Sequence, residues 1–334
     1  MTTEDLVLVT GGTGFLARHS ILRLLARGAR VRASVRSAQK GKDLHALLAN
    51  AGARVDNLET VAADLLARQS WSVAMTGVSH VLHLAAAMQG EAIHAVAMDG
   101  TRNVLEASAE AGVRRVVLTS TGLAALRPAR ALDKGESVTE QDWTDTARPD
   151  LDPYTLAKTL AERDAWQTSK GLGLSLATIL PGVIMGPVLG PERSLWQGLI
   201  ADMLAGKLPA LPPMQLQMVD VRDVADLHIA ALFAPEAAGQ RYIAAEEKLS
   251  LSGVAALLKA ELGAGAARIS TREMPAWLFR LMALVSAEAR SGLPLTRPSP
   301  LLDAGKARRE LGWRPRAMRE SLVDTARSII AQGQ

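Results

Sequence analysis

Only two tyrosines occur in this chain, and one of them opens the segment Tyr154-Thr155-Leu156-Ala157-Lys158 directly behind Pro153. A proline suits the first turn of a helix, and a four-residue spacing sets the phenol and the ammonium on one helix face. A fixed cation favours phenolate, so this tyrosine is expected to titrate below its ordinary ~10 and to exchange a proton with a substrate oxygen. The spacing alone is common on protein surfaces. It gains meaning from a second feature near the N-terminus.

That feature is Thr10-Gly11-Gly12-Thr13-Gly14-Phe15-Leu16-Ala17, which follows the apolar run Leu6 to Val9 and leads into a helical pattern from Arg18 to Arg27. Glycines let a chain turn sharply and approach a pyrophosphate, and a helix N-terminus offers it free N–H groups and partial positive charge. In this context of strand, glycine turn and helix, the motif predicts dinucleotide binding. About 20 residues on, an acid would select NAD by holding the ribose hydroxyls. No acid lies between Ala29 and Gly41; the stretch reads Arg30-Val31-Arg32-Ala33-Ser34-Val35-Arg36-Ser37, with Lys40 and Lys42 following. A guanidinium fork suits a 2′-phosphate, so NADP is the expected cofactor and Arg36, at the strand end, its expected reader.

These groups need a scaffold. From residue 6 to about 180, β-branched apolar runs at 6–10, 30–35, 58–61, 79–84, 114–119 and 174–180 alternate with helical patterns at 14–27, 40–51, 70–76, 91–111 and 153–170. This alternation predicts a Rossmann-type α/β fold, a doubly wound parallel sheet with ligands at the carboxyl ends of its strands. Beyond Pro181 the texture changes to short helices and Pro/Gly-rich loops, which predicts a smaller mixed α/β substrate-binding domain. The expected division gives 1–180 and about 215–245 to the nucleotide domain, and about 181–214 and 246–334 to its companion.

Composition narrows the chemistry further. The absence of cysteine excludes disulfides and thiolate chemistry. Thirty-eight basic against 34 acidic residues give a net charge of +4, and the cations are interleaved with acids, so no nucleic-acid partner is expected. The six histidines show no metal-ligand spacing. No apolar run is long enough to span a bilayer, and the first residues lead straight into a strand without a basic leader or apolar h-region; a cytoplasmic location without membrane attachment is expected. The segment PAWLFRLMALVSA at 275–287 carries only Arg280 and is expected to pack in the smaller domain or line a pocket.

With its motifs in order, the chain resembles the extended short-chain dehydrogenase/reductase superfamily, in particular its branch of dihydroflavonol, cinnamoyl-CoA and microbial aldehyde/ketone reductases. The landmarks are VTGGTGFLA at 9–17, VRASVR at 31–36, AADL at 62–65, HLAAAM at 83–88, GTRNVLEASAEAGVRRVVLTST at 100–121, PYTLAK at 153–158, LPGVIMGP at 180–187, VDVRDVADLHIAAL at 219–232 and KARRELGW at 306–313. The resemblance implies that Gly11, Thr13, Gly14, Phe15 and Leu16 hold the pyrophosphate, that Arg36 and Lys42 serve the 2′-phosphate, and that Asp64 and Leu65 flank the adenine. It implies that Ala85 and Ala86 face the nicotinamide half, which Pro181, Gly182 and Val183 shape. Tyr154 becomes the general acid, Lys158 the ribose ligand that lowers the Tyr154 pKa. The implied reaction is NADPH-dependent reduction of an aldehyde or ketone, reversibly alcohol oxidation, on a small apolar or aromatic substrate held by Met88, Gln89, 122–126 and 184–196. A monomer or a homodimer through the helices near 91–111 and 153–170 is expected.

Two departures from the family pattern stand out. The usual catalytic serine falls on Thr121, after Thr119 and Ser120, which leaves Thr121 and Ser120 as alternative hydroxyls. The asparagine common a few residues before GTRN is absent, with Ala97 and Met98 in its place. The rival functions are a sugar-nucleotide epimerase or dehydratase, a 3β-hydroxysteroid dehydrogenase-like oxidation, and an NADPH-binding sensor without turnover. Against the dehydratases, Gly122-Leu123 stands where they carry an Asp-Glu pair.

Overall fold

A computed structural model describes residues 5–86, 93–126, 137–149, 151–296 and 299–333. The expected alternation is present. Strand β1 (Leu6–Val9) leads to α1 (Phe15–Ala26), β2 (Arg30–Val35) to α2 (Ala38–Asn50), β3 (Leu58–Ala62) to α3 (Gln69–Ala74), and β4 (His80–His83) to α4 (Ile93–Glu110). Then come β5 (Arg115–Thr119), α5 (Pro153–Leu172) and β6 (Leu176–Pro181). The C-terminal part holds β7 (Val183–Met185), α6 (Leu195–Leu204), β8 (Gln215–Asp220), α7 (Val221–Phe233), β9 (Arg241–Ala244) and β10 (Glu247–Ser250). It ends with α8 (Leu251–Leu262), α9 (Ala276–Val285), α10 (Ala287–Gly292), α11 (Gly305–Glu310) and α12 (Met318–Ala331).

Among the described residues seven strands form one parallel sheet in the order β3-β2-β1-β4-β5-β6-β9. All four residues of β1 and of β4 are buried, as strands covered by helices on both faces must be. The order reverses between β1 and β4, so the crevice for a ligand opens beyond their carboxyl ends, where the glycine turn and Leu84 to Ala86 lie. The seventh strand, β9, was not anticipated: Arg241 and Tyr242 interrupt its apolar run, and it extends the sheet from about 60 residues beyond β6.

A three-stranded sheet, β10-β8-β7, carries a second apolar core with α6, α8, α9 and α12. Residues 215–220, placed by the expected division in the nucleotide domain, form β8 of this small sheet, whereas β9 joins the large sheet and α7 packs in its core. Helix α9 packs through Phe279 and Ala283 but leaves Trp277, Leu281, Leu284 and Val285 exposed, so it is only partly absorbed into this core. Among the described residues no helix is long and apolar enough to cross a membrane.

Candidate active site

The site grows from three strand ends and one helix. At β1 the chain turns through Gly11, whose φ of +66° lies in the region that favours glycine. A side chain there would press on Ala85 at 3.0 Å, and one at Gly12 would lie 2.8 Å from the Ala33 methyl. Ser34 closes the turn: the Gly11 N–H donates to its hydroxyl (3.0 Å) and the Gly12 N–H to its carbonyl (2.8 Å). Helix α1 then begins at Gly14 with no side-chain cap and no acid in its first turn. The N–H groups of Thr13, Phe15 and Leu16 therefore have no protein acceptor among the described residues. A cradle that a Cβ would fill, beside uncapped donors, fits a diphosphate.

Thr10 and His83 fix the neighbouring strand end. The Thr10 hydroxyl accepts from the Leu84 and Ala85 N–H groups, both at 3.0 Å, so its own proton goes to His83 Nδ1 at 2.9 Å. That places the remaining imidazole proton on Nε2, 3.3 Å from the Thr101 hydroxyl on α4. Burial, with the Lys158 charge adding to it, pushes His83 down to about 3, so it stays neutral. Ala85 and Ala86 emerge from this clamp half-buried and exposed; Met88 and Gln89 lie outside the described residues.

Arg36 is exposed at the end of β2, and Lys42 lines a groove between α2 and β3 with Val35, His45 and Thr60. Lys40 pairs with Glu192 at 3.1 Å, which also holds Arg18. Beyond β3, Asp64 accepts from the Leu66 N–H (2.8 Å), while the Leu65 side chain meets Gly100 and its carbonyl accepts from Asn103 (2.8 Å). At the end of β6 come Pro181, then Gly182, whose N–H donates to the Ala244 carbonyl (3.0 Å), then half-buried Val183.

Helix α5 presents the proton-transfer groups. Asp152 caps it, accepting from the Thr155 N–H (2.9 Å) and the Thr155 hydroxyl (2.5 Å), and Pro153 occupies its first turn. One stripe carries Tyr154, Ala157, Lys158, Ala161 and Glu162 inward, Lys158 and Glu162 reaching β5 and β6. Ala157 and Ala161 meet Ile93 and Ala97 of α4, with Met98 and the Tyr154 ring packed against them. The positions of the missing asparagine are thus filled by apolar contact around the tyrosine.

The expected lowering of the Tyr154 pKa is reversed. Burial pushes the phenol up to about 12, only partly offset by a hydrogen bond with Thr121. Lys158 is buried and donates to the Thr119 carbonyl at 2.8 Å. Burial brings its ammonium down to about 8 despite the attraction of Glu162. The two candidate hydroxyls are separated: Thr121 meets Tyr154, whereas Ser120 donates to Glu162 Oε2 at 2.5 Å. Sequence reasoning missed Glu162, although it continues the ladder Tyr154, Lys158 at the same four-residue step, and Arg241, its partner at 2.8 Å, for which no local signal exists.

The family model for the NAD dependent epimerase/dehydratase family matches residues 7–245. Cinnamoyl-CoA reductase 1 of Oryza sativa subsp. japonica is 36% identical over 244 residues, covering 72% of this chain and 71% of that protein. Tetraketide alpha-pyrone reductase 2 of Arabidopsis thaliana is 33% identical over 245 residues, 70% of this chain and 75% of its own. Among solved structures, Gre2 of Candida albicans in complex with NADPH superposes with a TM-score of 0.79 at 26% identity, over 99% of this chain and 100% of that one.

Proposed function

Since the chain belongs to the NAD dependent epimerase/dehydratase family, we propose that it reduces an aldehyde or ketone on a small, largely apolar substrate with NADPH. The observation that carries this reading is a half-buried tyrosine whose phenol is kept protonated and hydrogen-bonded to Thr121, one helical turn from a buried lysine. Gly11, Thr13, Gly14, Phe15 and Leu16 would hold the diphosphate, Arg36 and Lys42 the 2′-phosphate, Asp64 and Leu65 the adenine side. Ala85, Ala86, Pro181, Gly182 and Val183 would border the nicotinamide, with Lys158 on the ribose. When bound, NADPH supplies the hydride that a carbonyl carbon accepts. Tyr154 gives its proton to the oxygen as the C=O π pair becomes the new O–H bond, and Thr121 donates a hydrogen bond to the same oxygen. A phenol held near 12 favours this direction at neutral pH, because oxidation would begin from phenolate. The apolar stretch Gly122 to Leu126, tied down by Thr144 through its hydroxyl and N–H, supports an apolar substrate over a charged sugar nucleotide.

The test is loss of nicotinamide absorbance with NADPH, and separately NADH, against a panel of aromatic and aliphatic aldehydes and ketones. NADPH-dependent turnover of apolar carbonyls is expected, and silence across the panel refutes the reading. In the same assay Arg36→Ala should raise KM for NADPH about tenfold or more and leave NADH nearly unaffected, the loss of a charge-assisted pair to phosphate. Equal losses with both cofactors would remove Arg36 from the 2′-phosphate site.

The reductive rate should also carry one alkaline limb. Tyr154 keeps its proton throughout the working range, whereas Lys158 loses its charge as pH rises through about 8. kcat/KM for reduction is therefore expected to be flat below that pH and to fall above it. A profile flat to pH 10 would exclude a role for the Lys158 charge.

A further inference from the structure

The carboxylate of Glu162 is fully buried and takes donors on both oxygens. Oε2 accepts from Ser120 Oγ (2.5 Å) and Arg241 Nη2 (3.3 Å); Oε1 accepts from Arg241 Nε (2.8 Å), Thr178 Oγ1 (2.9 Å) and Trp166 Nε1 (3.4 Å). Arg241 in turn donates to the carbonyls of Glu140 (2.6 Å) and Asp142 (2.8 Å), and its guanidinium lies 3.7 Å from the centre of the Trp143 ring. One carboxylate thus joins α5, the end of β5, β6, β9 and the segment around 140–143.

Ser120 is the middle of three residues whose neighbours both serve the proposed site. The Thr119 carbonyl receives the Lys158 ammonium, and Thr121 meets the Tyr154 phenol. Fixing the Ser120 hydroxyl fixes the register of both. A buried ion pair is a costly way to join elements unless it secures a particular arrangement. We propose that Glu162, with Arg241 as its counter-ion, is a positioning residue for the Tyr154, Thr121 and Lys158 group: it locks Thr119-Ser120-Thr121 through Ser120 and places a negative charge one helical turn behind the lysine. This rests on the functional reading above.

The second half has an electrostatic consequence. The titratable and charged groups near Lys158 are Tyr154 and Glu162 on its own helix and His83 from β4; His228 from α7 holds the Thr119 hydroxyl at 2.8 Å, and Arg241 and Glu140 lie behind Glu162. His83 and His228 are held neutral by burial. Glu162 is the group that favours the ammonium over the amine.

The test follows the Lys158 amine by NMR of lysine labelled with 13C at Cε, its signal identified by loss in Lys158→Met. This readout needs neither cofactor nor substrate. In the wild type the midpoint is expected near pH 8. In Glu162→Gln it should fall by about one pH unit, and in Glu162→Asp, which keeps the charge, it should stay close to the wild type. Because a lone Arg241 charge strains the core, Glu162→Gln/Arg241→Met is measured beside it, with the same downward shift expected. The alkaline limb of NADPH-dependent reduction should move with the NMR midpoint, costing about fivefold at pH 8 and little at pH 6. An unmoved midpoint in folded variants overturns the proposal, as does failure of the neutral double variant to fold, since the carboxylate would then serve the fold alone. A shifted midpoint in a protein that consumes no NADPH sustains the electrostatic role of Glu162 and refutes the functional reading instead.

Discussion

Tyr154→Phe should lower kcat/KM for NADPH-dependent carbonyl reduction by about 10²–10⁴-fold, the contribution typical of a positioned acid. The substitution removes one oxygen from a ring packed against Met98, Ala97, Ala157 and Ala161, which Phe can still fill. The Thr121 hydroxyl loses its phenol partner but keeps the Leu123 N–H at 3.3 Å. The cost should therefore appear in turnover: NADPH affinity, read by fluorescence quenching, should change less than about threefold, and the melting temperature by only a few degrees. The effect should persist from pH 6 to 10, because a phenol held near 12 is the protonated donor throughout. A variant with near-normal turnover would remove Tyr154 from the chemistry.

Acid is expected to unfold the protein, and cooperatively, between about pH 6.5 and 4. Four histidines are buried and held neutral, chiefly by burial: His19, His80 and His228 at about 4 and His83 at about 3. The unfolded chain binds protons at these side chains near 6.5 while the folded one does not, so their contribution is present above that pH and is lost as pH falls toward 4. Each withdraws on the order of 3 kcal/mol over that interval, and the four together rival the ~5–15 kcal/mol that stabilises a typical domain. Circular dichroism against pH, with thermal melts at pH 7.5, 6 and 5, checks this. His83→Asn should lessen the acid sensitivity while costing stability at pH 7.5, since His83 bridges Thr10 and Thr101. A melting temperature unchanged from pH 7.5 to 4.5 would contradict the buried neutral histidines.

The elements that the fold needs were legible because their signals are local. Val7 and Leu8, Val81 and Leu82, Val116 and Val117 are adjacent apolar residues that give short strands two apolar faces, and the helices between them repeat at 3.6 residues. The glycine turn was legible for the same reason: a sharp turn before a helix is written in adjacent residues, and the structure gives Gly11 and Gly12 no room for a side chain. The Tyr154 and Lys158 spacing likewise placed both on one face of α5. By contrast β9 pairs with β6 from about 60 residues away, and its charged Arg241 disguised a buried edge strand of the sheet as a surface segment.

By itself the sequence determined the α/β alternation, the position of the nucleotide turn and the helix that bears the tyrosine and lysine, since each depends on residues within about a helical turn of one another. Only the tertiary structure decided which hydroxyl meets the tyrosine, because Ser120 is claimed by a carboxylate 42 residues later whose counter-ion lies a further 79 residues on. It also decided the direction in which the phenol titrates. A four-residue spacing announces a nearby cation, but the loss of water around the phenol raises its pKa and only the Thr121 hydrogen bond opposes the rise, and desolvation is set by how the chain packs, not by local spacing.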